Sequence, residues 1–375
     1  MRVVIAPDSL KGSATAADAA RALADGWHSV RPDDDISVVP MADGGEGTVD
    51  AVAAALPRAE QRSTRVQGPD GRPVDARWLL LDDDSGSPTA LVELAEASGL
   101  LLLSEPAPLT AHTFGLGEVM RAALDAGAAR LLIAVGGSCS TDGGAGALLA
   151  LGATLIDECG DTVALGNAAL HRLDRADLGS AVPPPAGGAV VLTDVDNPLL
   201  GDRGAVAVFG PQKGIDDGLA HDAELALERF AAVIAASQGR ASGISSPDTP
   251  GAGAEGGAGF GLLCWGAELA AGARAIAETI GLPASIAGAD LVITGEGRFD
   301  GQSAGGKAPV EVARLAAEAG VPCALVAGAI GAATLEFSDA VSLSDLAGSA
   351  DAAIADPLPW LRLAGARLAS AHQPG

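Results

Sequence analysis

Short apolar stretches alternate with amphipathic helical stretches near both ends of the chain. An apolar run followed by apolar residues at i, i+3 and i+4 predicts a strand followed by a helix, and repetition of this order predicts a parallel sheet. The apolar runs are at residues 2–6, 35–40, 289–294 and 322–328, and the helical patterns are at 15–27, 47–56, 308–320 and 357–371. Both chain ends are therefore expected to build one layered, parallel α/β domain.

The middle of the chain has a different pattern. Residues 63–95 alternate between polar and apolar positions around Pro69-Asp70-Gly71, which predicts an antiparallel hairpin or meander. The chain has 375 residues, more than the roughly 250–300 at which a single core stops growing. We therefore predict an α/β fold of two α/β domains. A central domain, residues 63–285, is inserted into a discontinuous domain formed by residues 1–62 and 286–375.

The composition narrows the class of partner. The chain has 23 Lys and Arg against 48 Asp and Glu, a formal net charge of −25. This charge repels phosphate backbones and anionic lipids at long range, so neither nucleic acid nor a membrane is expected as a partner. The apolar runs are far shorter than the ~18 residues of a spanning helix, and the first residues do not resemble a secretory signal. We expect a cytoplasmic protein that acts on small molecules, with a homodimer as an open possibility.

The four cysteines indicate no special site. Cys139, Cys159, Cys264 and Cys323 are scattered and form no C-x-x-C pair, so neither a zinc site nor a disulfide framework is indicated. We expect them to be reduced and buried.

Lysine is rare in this chain. There are 20 Arg but only three Lys, and each of Lys11, Lys213 and Lys307 is next to a glycine. A lysine ammonium is a compact charge that suits phosphate oxygens. This distribution favours a role in binding an anion, with an Arg-preferring coding bias as the alternative explanation.

Polar and glycine-rich loops follow the first two predicted strands. The residues concerned are Asp8, Ser9, Lys11, Asp43, Gly44, Gly45 and Glu46. The carboxyl ends of parallel strands meet at one edge of a sheet, where α/β proteins bind ligands. The alternative is local: Asp8 or Ser9 caps the next helix, and the glycines form tight turns.

Further loops in the middle of the chain carry candidate residues. They contain Gly136, Gly137, Ser138, Asp194, Asp196 and Lys213. The first three join a buried strand to a helix, and helix amino termini collect anions, so they are a candidate cradle for phosphate or carboxylate. At most one of the two aspartates is expected to bind Mg²⁺. Glycine-rich turns also serve close packing alone.

The stretch Gly301–Pro309 approximates the phosphate-binding loop G-x-x-x-x-G-K-[ST], but Ala308 occupies the place of the metal-binding hydroxyl. Six residues, GEGRFD, also separate it from the apolar run that ends at Thr294. We therefore reject a true P-loop. What remains are the charged residues Glu296, Arg298, Asp300 and Lys307, which can bind phosphoryl oxygens or a metal ion.

Seven of these segments, read together and in order, resemble glycerate kinase of the first type, the bacterial family that phosphorylates D-glycerate. They are APDSLKGS, PMADGGEGT, VGGSCSTDGG, DVDNPLLGDRGA, FGPQKG, GAGAEGGAGFG and DLVITGEGRFDGQSAGGKAP, covering residues 6–309. The resemblance implies one flavodoxin-like and one restriction-endonuclease-like domain. It also implies ATP with Mg²⁺ as the phosphoryl donor and phosphoglycerate as the product, with 2-phosphoglycerate favoured over 3-phosphoglycerate. Glu311, after the last segment, stands where the family pattern has glycine.

On this hypothesis each candidate receives a role. The catalytic residues are Asp194, as base or metal ligand, and Lys11, Arg298 and Lys307, as clamps on phosphate or carboxylate. Substrate or phosphate would be bound by Asp8, Ser9, Gly44, Gly45, Gly136, Gly137, Ser138 and Lys213. The metal would be bound by Asp43, Glu46, Asp196, Glu296 and Asp300. We expect all these loops to converge on one cleft.

Two other classes of function remain open from the residues alone. A sensor of a phosphorylated or carboxylic metabolite would keep the anion-binding loops, but it would not need acidic residues for magnesium. A nicotinamide-dependent oxidoreductase would need G-x-G-x-x-G directly after a strand, and VIAPDSLKGS does not provide it.

Overall fold

The computed structural model describes residues 1–82, 87–238, 246–301 and 307–372. The chain forms two compact units. Unit 1 consists of Met1–Asp43, Asp50–Pro57 and Ala271–Gly375, and unit 2 consists of Gly44–Val49 and Arg58–Ala270.

The described residues of unit 1 form five strands and several helices. The strands are β1 (Arg2–Pro7), β2 (Asp35–Val38), β11 (Leu291–Phe299), β12 (Cys323–Ile330) and β13 (Asp339–Ser342). The helices are α1 (Ala16–Val30), α2 (Thr48–Ala55, which begins in unit 2), α9 (Gly272–Thr279), α10 (Leu282–Ile286), α11 (Ala308–Glu318), α12 (Leu343–Ala347), α13 (Ala350–Ala355) and α14 (Pro357–Ala371).

The described residues of unit 2 contain the remaining elements. The strands are β3 (Glu60–Gln67), β4 (Pro73–Leu81), β5 (Thr89–Glu93), β6 (Arg130–Ala134), β7 (Thr154–Asp157), β8 (Leu173–Asp177), β9 (Ala189–Leu192) and β10 (Glu268–Ala270). The α-helices are α3 (Leu94–Ser98), α4 (Phe114–Asp125), α5 (Ala145–Ala150), α6 (Ala205–Phe209), α7 (Asp217–Gln238) and α8 (Ala254–Trp265).

The sheet of unit 1 is parallel throughout, in the order β13-β12-β11-β1-β2. Strand β1, which lies between β11 and β2, is apolar from Val3 to Ala6, and these residues are buried, as expected for a strand covered on both faces. Ile5 lies opposite Val38 on one side and Ile293 on the other. The predicted parallel layer from both chain ends is therefore confirmed.

The helix pair α1 and α14 covers one face of this sheet with very close backbone packing. The side chain of Thr15 caps α1 by accepting from the N–H of Asp18, and Leu23 and Trp27 are buried. A Cβ atom on Gly26 would overlap the carbonyl oxygen of Arg362 in α14, and the same holds between Gly365 and the carbonyl oxygen of Leu23. Glycine at both positions therefore sets the distance between the helices.

The main sheet of unit 2 is mixed, in the order β10-β9-β6-β5-β4-β3. The first four of these strands are parallel neighbours, whereas β5, β4 and β3 pair antiparallel. The predicted hairpin is confirmed: β3 and β4 flank Pro69-Asp70-Gly71, with Val66 opposite Val74. A separate pair, β7 and β8, is also antiparallel.

The boundaries between the units differ from those that the sequence suggested. The first lies at 57/58 rather than 62/63, because residues 60–62 already pair with β4. The second lies at 270/271 rather than 285/286, because α9 and α10 pack with α11. The short segment Gly44–Val49 also belongs to unit 2.

Two apolar stretches, residues 143–155 and 261–273, have helical spacing but are helical only in part. The helical pattern at 143–155 stops at Ala150, and Thr154 opens β7. The pattern at 261–273 stops at Trp265, and β10 follows. In both cases a glycine with positive φ, Gly152 or Gly266, ends the helix, because other residues rarely adopt this conformation.

The cysteines are free, and all but one are buried. Burial raises the pKa of Cys139, Cys264 and Cys323 to about 12, so these thiols are inert. Cys159 is exposed, which corrects the expectation that all four are buried. Throughout the described ranges, no helix is both long and apolar enough to cross a membrane.

We predict that Gly26→Ala lowers the free energy of unfolding by about 1–3 kcal/mol, the usual cost of overpacking. The added methyl group would overlap backbone atoms of Arg362, which cannot change rotamer as a side chain can. Urea unfolding followed by circular dichroism measures the change. Gly331→Ala is the matched control in unit 1, because the nearest atoms to its added methyl group are 3.7 Å away. If the two variants had the same free energy of unfolding, α1 and α14 would be able to move apart without cost, and the prediction would be wrong.

Candidate functional site

Two neighbouring strands at the centre of unit 1 bring acidic residues to the carboxyl edge of the sheet. Asp8 directly follows β1, and its N–H donates to the carbonyl of Gly295 in β11 at 2.8 Å. Chain order reverses here: β2 lies on one side of β1, and β11 lies on the other. Ligands of open α/β sheets bind at such a switch point.

A cavity of about 350 Å³ opens at this edge. Its lining includes seven of the predicted site residues, namely Asp8, Ser9, Lys11, Asp43, Glu296, Arg298 and Lys307. It also includes residues that the sequence reasoning did not select, among them Gly328, Ala329, Ser344, Ala350, Ala353 and Ile354. Segments far apart in sequence are thus brought together within unit 1.

The buried carboxylates in this cavity repel one another. Asp8 is 9% exposed and Glu296 is 6% exposed. Burial raises the pKa of Asp8 well above its ordinary value, and the charges of Asp43 and Glu296 raise it further. The N–H of Ser9, which donates to Asp8 at 2.6 Å, and the charge of Lys11 oppose this rise without cancelling it. The site is therefore acidic and ready to accept a cation or a proton.

The cations of the cavity are more exposed than its carboxylates. Lys11 is exposed, and Arg298, with a side chain 72% exposed, pairs with Asp300 at 3.2 Å. Lys307 occupies the N-cap position of α11, with Pro309 in the first turn. Exposed basic groups on the rim are in a position to reach an anionic ligand.

Strand β11 is longer than its apolar run. The run ends at Thr294, but the strand continues to Phe299, so GEGRF is strand rather than the loop that the sequence suggested. Glu296 and Arg298 are two positions apart in this strand and lie on the same face, which explains why both line the cavity. Residues 302–306, the centre of the loop that resembles a P-loop, lie outside the described residues.

In unit 2, the glycine-rich loops after β6 and at Gly44–Gly45 pack against each other. The N–H of Gly136 donates to the carbonyl of Gly44 at 3.1 Å, and a Cβ on Gly136 would lie 2.5 Å from the Cα of Gly45. The N–H of Ser138 donates to the carboxylate of Glu255 at 3.0 Å. Each of these two N–H groups already has an acceptor inside the protein, so the anion cradle stays a prediction.

Lys213 is placed below this loop rather than at a surface. It is 1% exposed, and its Nζ donates to the carbonyl of Ser140 at 2.6 Å. Burial lowers its pKa, and the nearby charge of Glu255 partly restores it. The cavity beside Lys213 is only about 80 Å³. The ammonium group holds the main chain, so its predicted contact with phosphate stays a prediction.

The remaining predicted acids of unit 2 lie in loops. Strand β9 ends at Leu192, and the half-buried Asp194 and the exposed Asp196 follow it. Asp196 pairs with Arg203 at 3.1 Å on the surface. Glu46 is exposed beside Gly137.

Sequence reasoning missed the acids that organise these loops. Asp142, 1% exposed, accepts hydrogen bonds from the N–H groups of Thr113, Gly144 and Gly146. Glu93 accepts from Gly47 and Val49. Glu255 is the only non-glycine residue with positive φ in the described ranges. These carboxylates hold the backbone of the loops in place. The residues next to them in the sequence do not distinguish them from acids that bind a ligand.

The donor set suits magnesium only in part. Among the residues that the structure describes, no group of three or more His, Cys, Asp or Glu side chains is arranged to hold a metal ion. Mg²⁺, however, is usually bound through one or two carboxylates together with phosphate oxygens and water. Burial, and after it the charges of Asp43 and Glu296, raise the pKa of Asp8. The carboxylates present therefore fit Mg²⁺ that arrives with phosphate.

The fold and the site define an α/β enzyme with charged groups of both signs around a cavity at the sheet edge. The sequence model of the glycerate kinase family matches residues 3–373. The chain is 41% identical to glycerate 2-kinase of Escherichia coli K12 over 88% of this chain and 86% of that protein. It is also 41% identical to glycerate kinase of Bacillus subtilis 168, over 88% and 85%.

A solved structure supports the same relationship. The structure of a proposed glycerate kinase 2 from Salmonella typhimurium LT2 matches with a TM-score of 0.83 and 36% identity, over 99% of this chain and 98% of that one. The chain belongs to the glycerate kinase family, and it is a kinase. The resemblance in the sequence motifs is confirmed.

We predict that Asp8→Asn stabilises the protein at neutral pH in buffer without divalent cations. The pKa of Asp8 is raised in the folded state, so the folded protein binds more protons than the unfolded chain at pH values between the ordinary and the raised pKa. Stability from this group is therefore lost as pH rises through that window, and asparagine removes the loss. Urea unfolding from pH 4 to 8 should show a gap between variant and wild type that widens with pH.

The control is Asp33→Asn, which neutralises an exposed carboxylate of unit 1. Its stability curve should run parallel to that of the wild type. A constant gap for Asp8→Asn would mean that burial of the carboxylate has no energetic consequence.

Proposed function

We propose that this kinase transfers the γ-phosphoryl group of ATP to D-glycerate, with Mg²⁺, and that 2-phosphoglycerate is the favoured product. The observation that carries the proposal is the cavity of unit 1, where carboxylates and cations meet at the switch point of the sheet. The names of the similar proteins support glycerate as the acceptor. The name of the Escherichia coli relative supports the 2-hydroxyl.

Phosphoryl transfer depends on positioning and on neutralising charge, so the protein needs few specialised groups. In unit 1, Lys11, Arg298 and Lys307 would hold phosphoryl oxygens. Asp43 and Glu296 would hold Mg²⁺, which neutralises the charge on the group being transferred. Asp8 lies beside both acids, and its raised affinity for protons or cations supports a place in the same site.

The roles in unit 2 rest on the family resemblance. Asp194 would serve as the base or as a metal ligand, since it lies in the loop directly after β9. Asp196 and Asp300 are weaker candidates for the metal, because each already pairs with an arginine. That the loops of both units serve one reaction is part of the proposal.

Several finer statements belong to the same proposal. Unit 1 has the strand order 2-1-3-4-5 when its strands are numbered within the unit, which supports the flavodoxin-like description. The restriction-endonuclease-like description of unit 2, the cytoplasmic location and the expectation of no nucleic-acid partner remain predictions. A homodimer is likewise only a candidate assembly.

The direct test is to incubate the purified protein with ATP, Mg²⁺ and D-glycerate and to identify the product by NMR. The signals of the carbon-bound protons distinguish phosphate on the 2-hydroxyl from phosphate on the 3-hydroxyl. No ADP above a control without glycerate would contradict the proposal, and 3-phosphoglycerate would contradict only the favoured position.

We predict that Lys307→Ala lowers kcat/KM at least ~10²-fold, the usual loss when one group that stabilises transition-state charge is removed. Steady-state kinetics with ATP and D-glycerate measures the effect. Arg21→Ala is the matched control, because it removes an exposed cation of the same unit that does not line the cavity. Wild-type turnover of a folded Lys307→Ala protein would remove this residue from the mechanism.

A further inference from the structure

The cavity of unit 1 has walls of two different chemistries. The segments after β1 and in β11 contribute charged groups, such as Lys11 and Glu296. The end of β12 and the helix α13 contribute an apolar wall, which consists of Ala329, Ala350, Ala353 and Ile354. None of these four residues belongs to the motifs that were singled out in the sequence.

The strand order separates the two walls in space. Strand β11 lies between β1 and β12, and neighbouring strands are ~4.8 Å apart, so the outer strands of this trio are separated by roughly 10 Å. Helix α13 packs against β12. A ligand that fills the cavity therefore meets charged groups of both signs at the end near β1 and apolar groups at the end near α13.

The size and the exposure of the apolar wall point to a sizeable ligand. The volume of about 350 Å³ lies within the ~300–1,000 Å³ range of pockets for drug-sized molecules, more than a three-carbon acid requires. Ile354 is 60% exposed. An isolated exposed isoleucine needs no explanation, but this one faces the same cavity as three cations. Covering it with a flat, weakly polar ring would remove apolar surface from water.

The polar groups next to this wall are hydrogen-bond acceptors. The hydroxyl of Ser344 donates its proton to the carbonyl of Gly328 at 2.6 Å. Its oxygen can then only accept, and a carbonyl oxygen has a second lone pair. A ring that carries an amino group at its edge, as adenine does, can donate hydrogen bonds to these acceptors.

We propose that the apolar end of this cavity, formed by Ala329, Ala353 and Ile354, binds the nucleoside of the phosphoryl donor, while its phosphates extend toward Lys11 and Lys307. The inference rests on the proposed function, since it concerns the donor of that reaction. It makes Ile354 and Ser344 determinants of nucleotide affinity.

Calorimetric titration with two probes tests the proposal. We use MgADP, which has a nucleoside, and tripolyphosphate with Mg²⁺, which has none. Ile354→Ser removes apolar contact without adding charge, and it should weaken MgADP binding about 5- to 10-fold because a buried aliphatic side chain contributes on that scale. The affinity for tripolyphosphate should not change. An equal change for both probes, or no change for either, would overturn the proposal.

The matched control is Leu335→Ser. Leu335 is another large apolar side chain of unit 1, 93% exposed, and it does not line the cavity. It should leave both affinities at the wild-type value. If Leu335→Ser weakens MgADP binding as much as Ile354→Ser does, the effect of the latter is general and the assignment falls.

Steady-state kinetics distinguishes a binding site for the phosphoryl donor from one for the acceptor. Ala350→Phe fills the apolar end from an exposed position of α13, so it should raise KM for ATP at least ~10-fold and leave KM for D-glycerate unchanged. The reverse result would assign the cavity to the acceptor and contradict the proposal. Because the MgADP titration needs no acceptor, selective loss of MgADP affinity would support the nucleoside site even if glycerate proved not to be phosphorylated.

Discussion

The burial of carboxylates at the carboxyl edge of the unit 1 sheet is the constraint on which the site depends. Asp8, directly after β1, and Glu296, in the adjacent strand β11, are both buried, and burial raises the pKa of Asp8. A fold stabilised by only a few kcal/mol tolerates such a cluster because the rest of the sheet is well packed. The result is a concentration of buried acidic groups at one edge of the sheet.

The placement of the basic groups follows from the same constraint. A lysine buried between these acids would neutralise them and would have to be displaced by a metal ion. Lys11 and Arg298 instead lie exposed at the rim, where they can meet the anionic part of a ligand. The chain as a whole carries a net charge of −25, so an anionic ligand is attracted only over the short range of this rim.

Unit 2 uses buried charge for a different purpose. Lys213 donates to the carbonyl of Ser140, Asp142 accepts from several N–H groups, and Glu255 accepts from Ser138. These bonds hold the loop after β6 in one conformation, and Glu255 itself has a positive φ that a non-glycine residue adopts only at a cost. Charged residues beside glycines thus line a cavity in unit 1, whereas in unit 2 they bind the backbone of a loop.

The sequence by itself determined the order of strands and helices, the parallel layer built from both chain ends, the hairpin and the family. These features depend on local periodicity and on the spacing of motifs, which a single chain displays directly. It also located Asp8, Lys11 and Glu296 at one sheet edge, because strand ends follow from the same periodicity. Only the tertiary structure decided that β11 continues to Phe299 and that Lys213 is buried. It also supplied the apolar wall around Ile354, because burial, proton affinity and cavity shape depend on atoms from distant segments that no local pattern encodes.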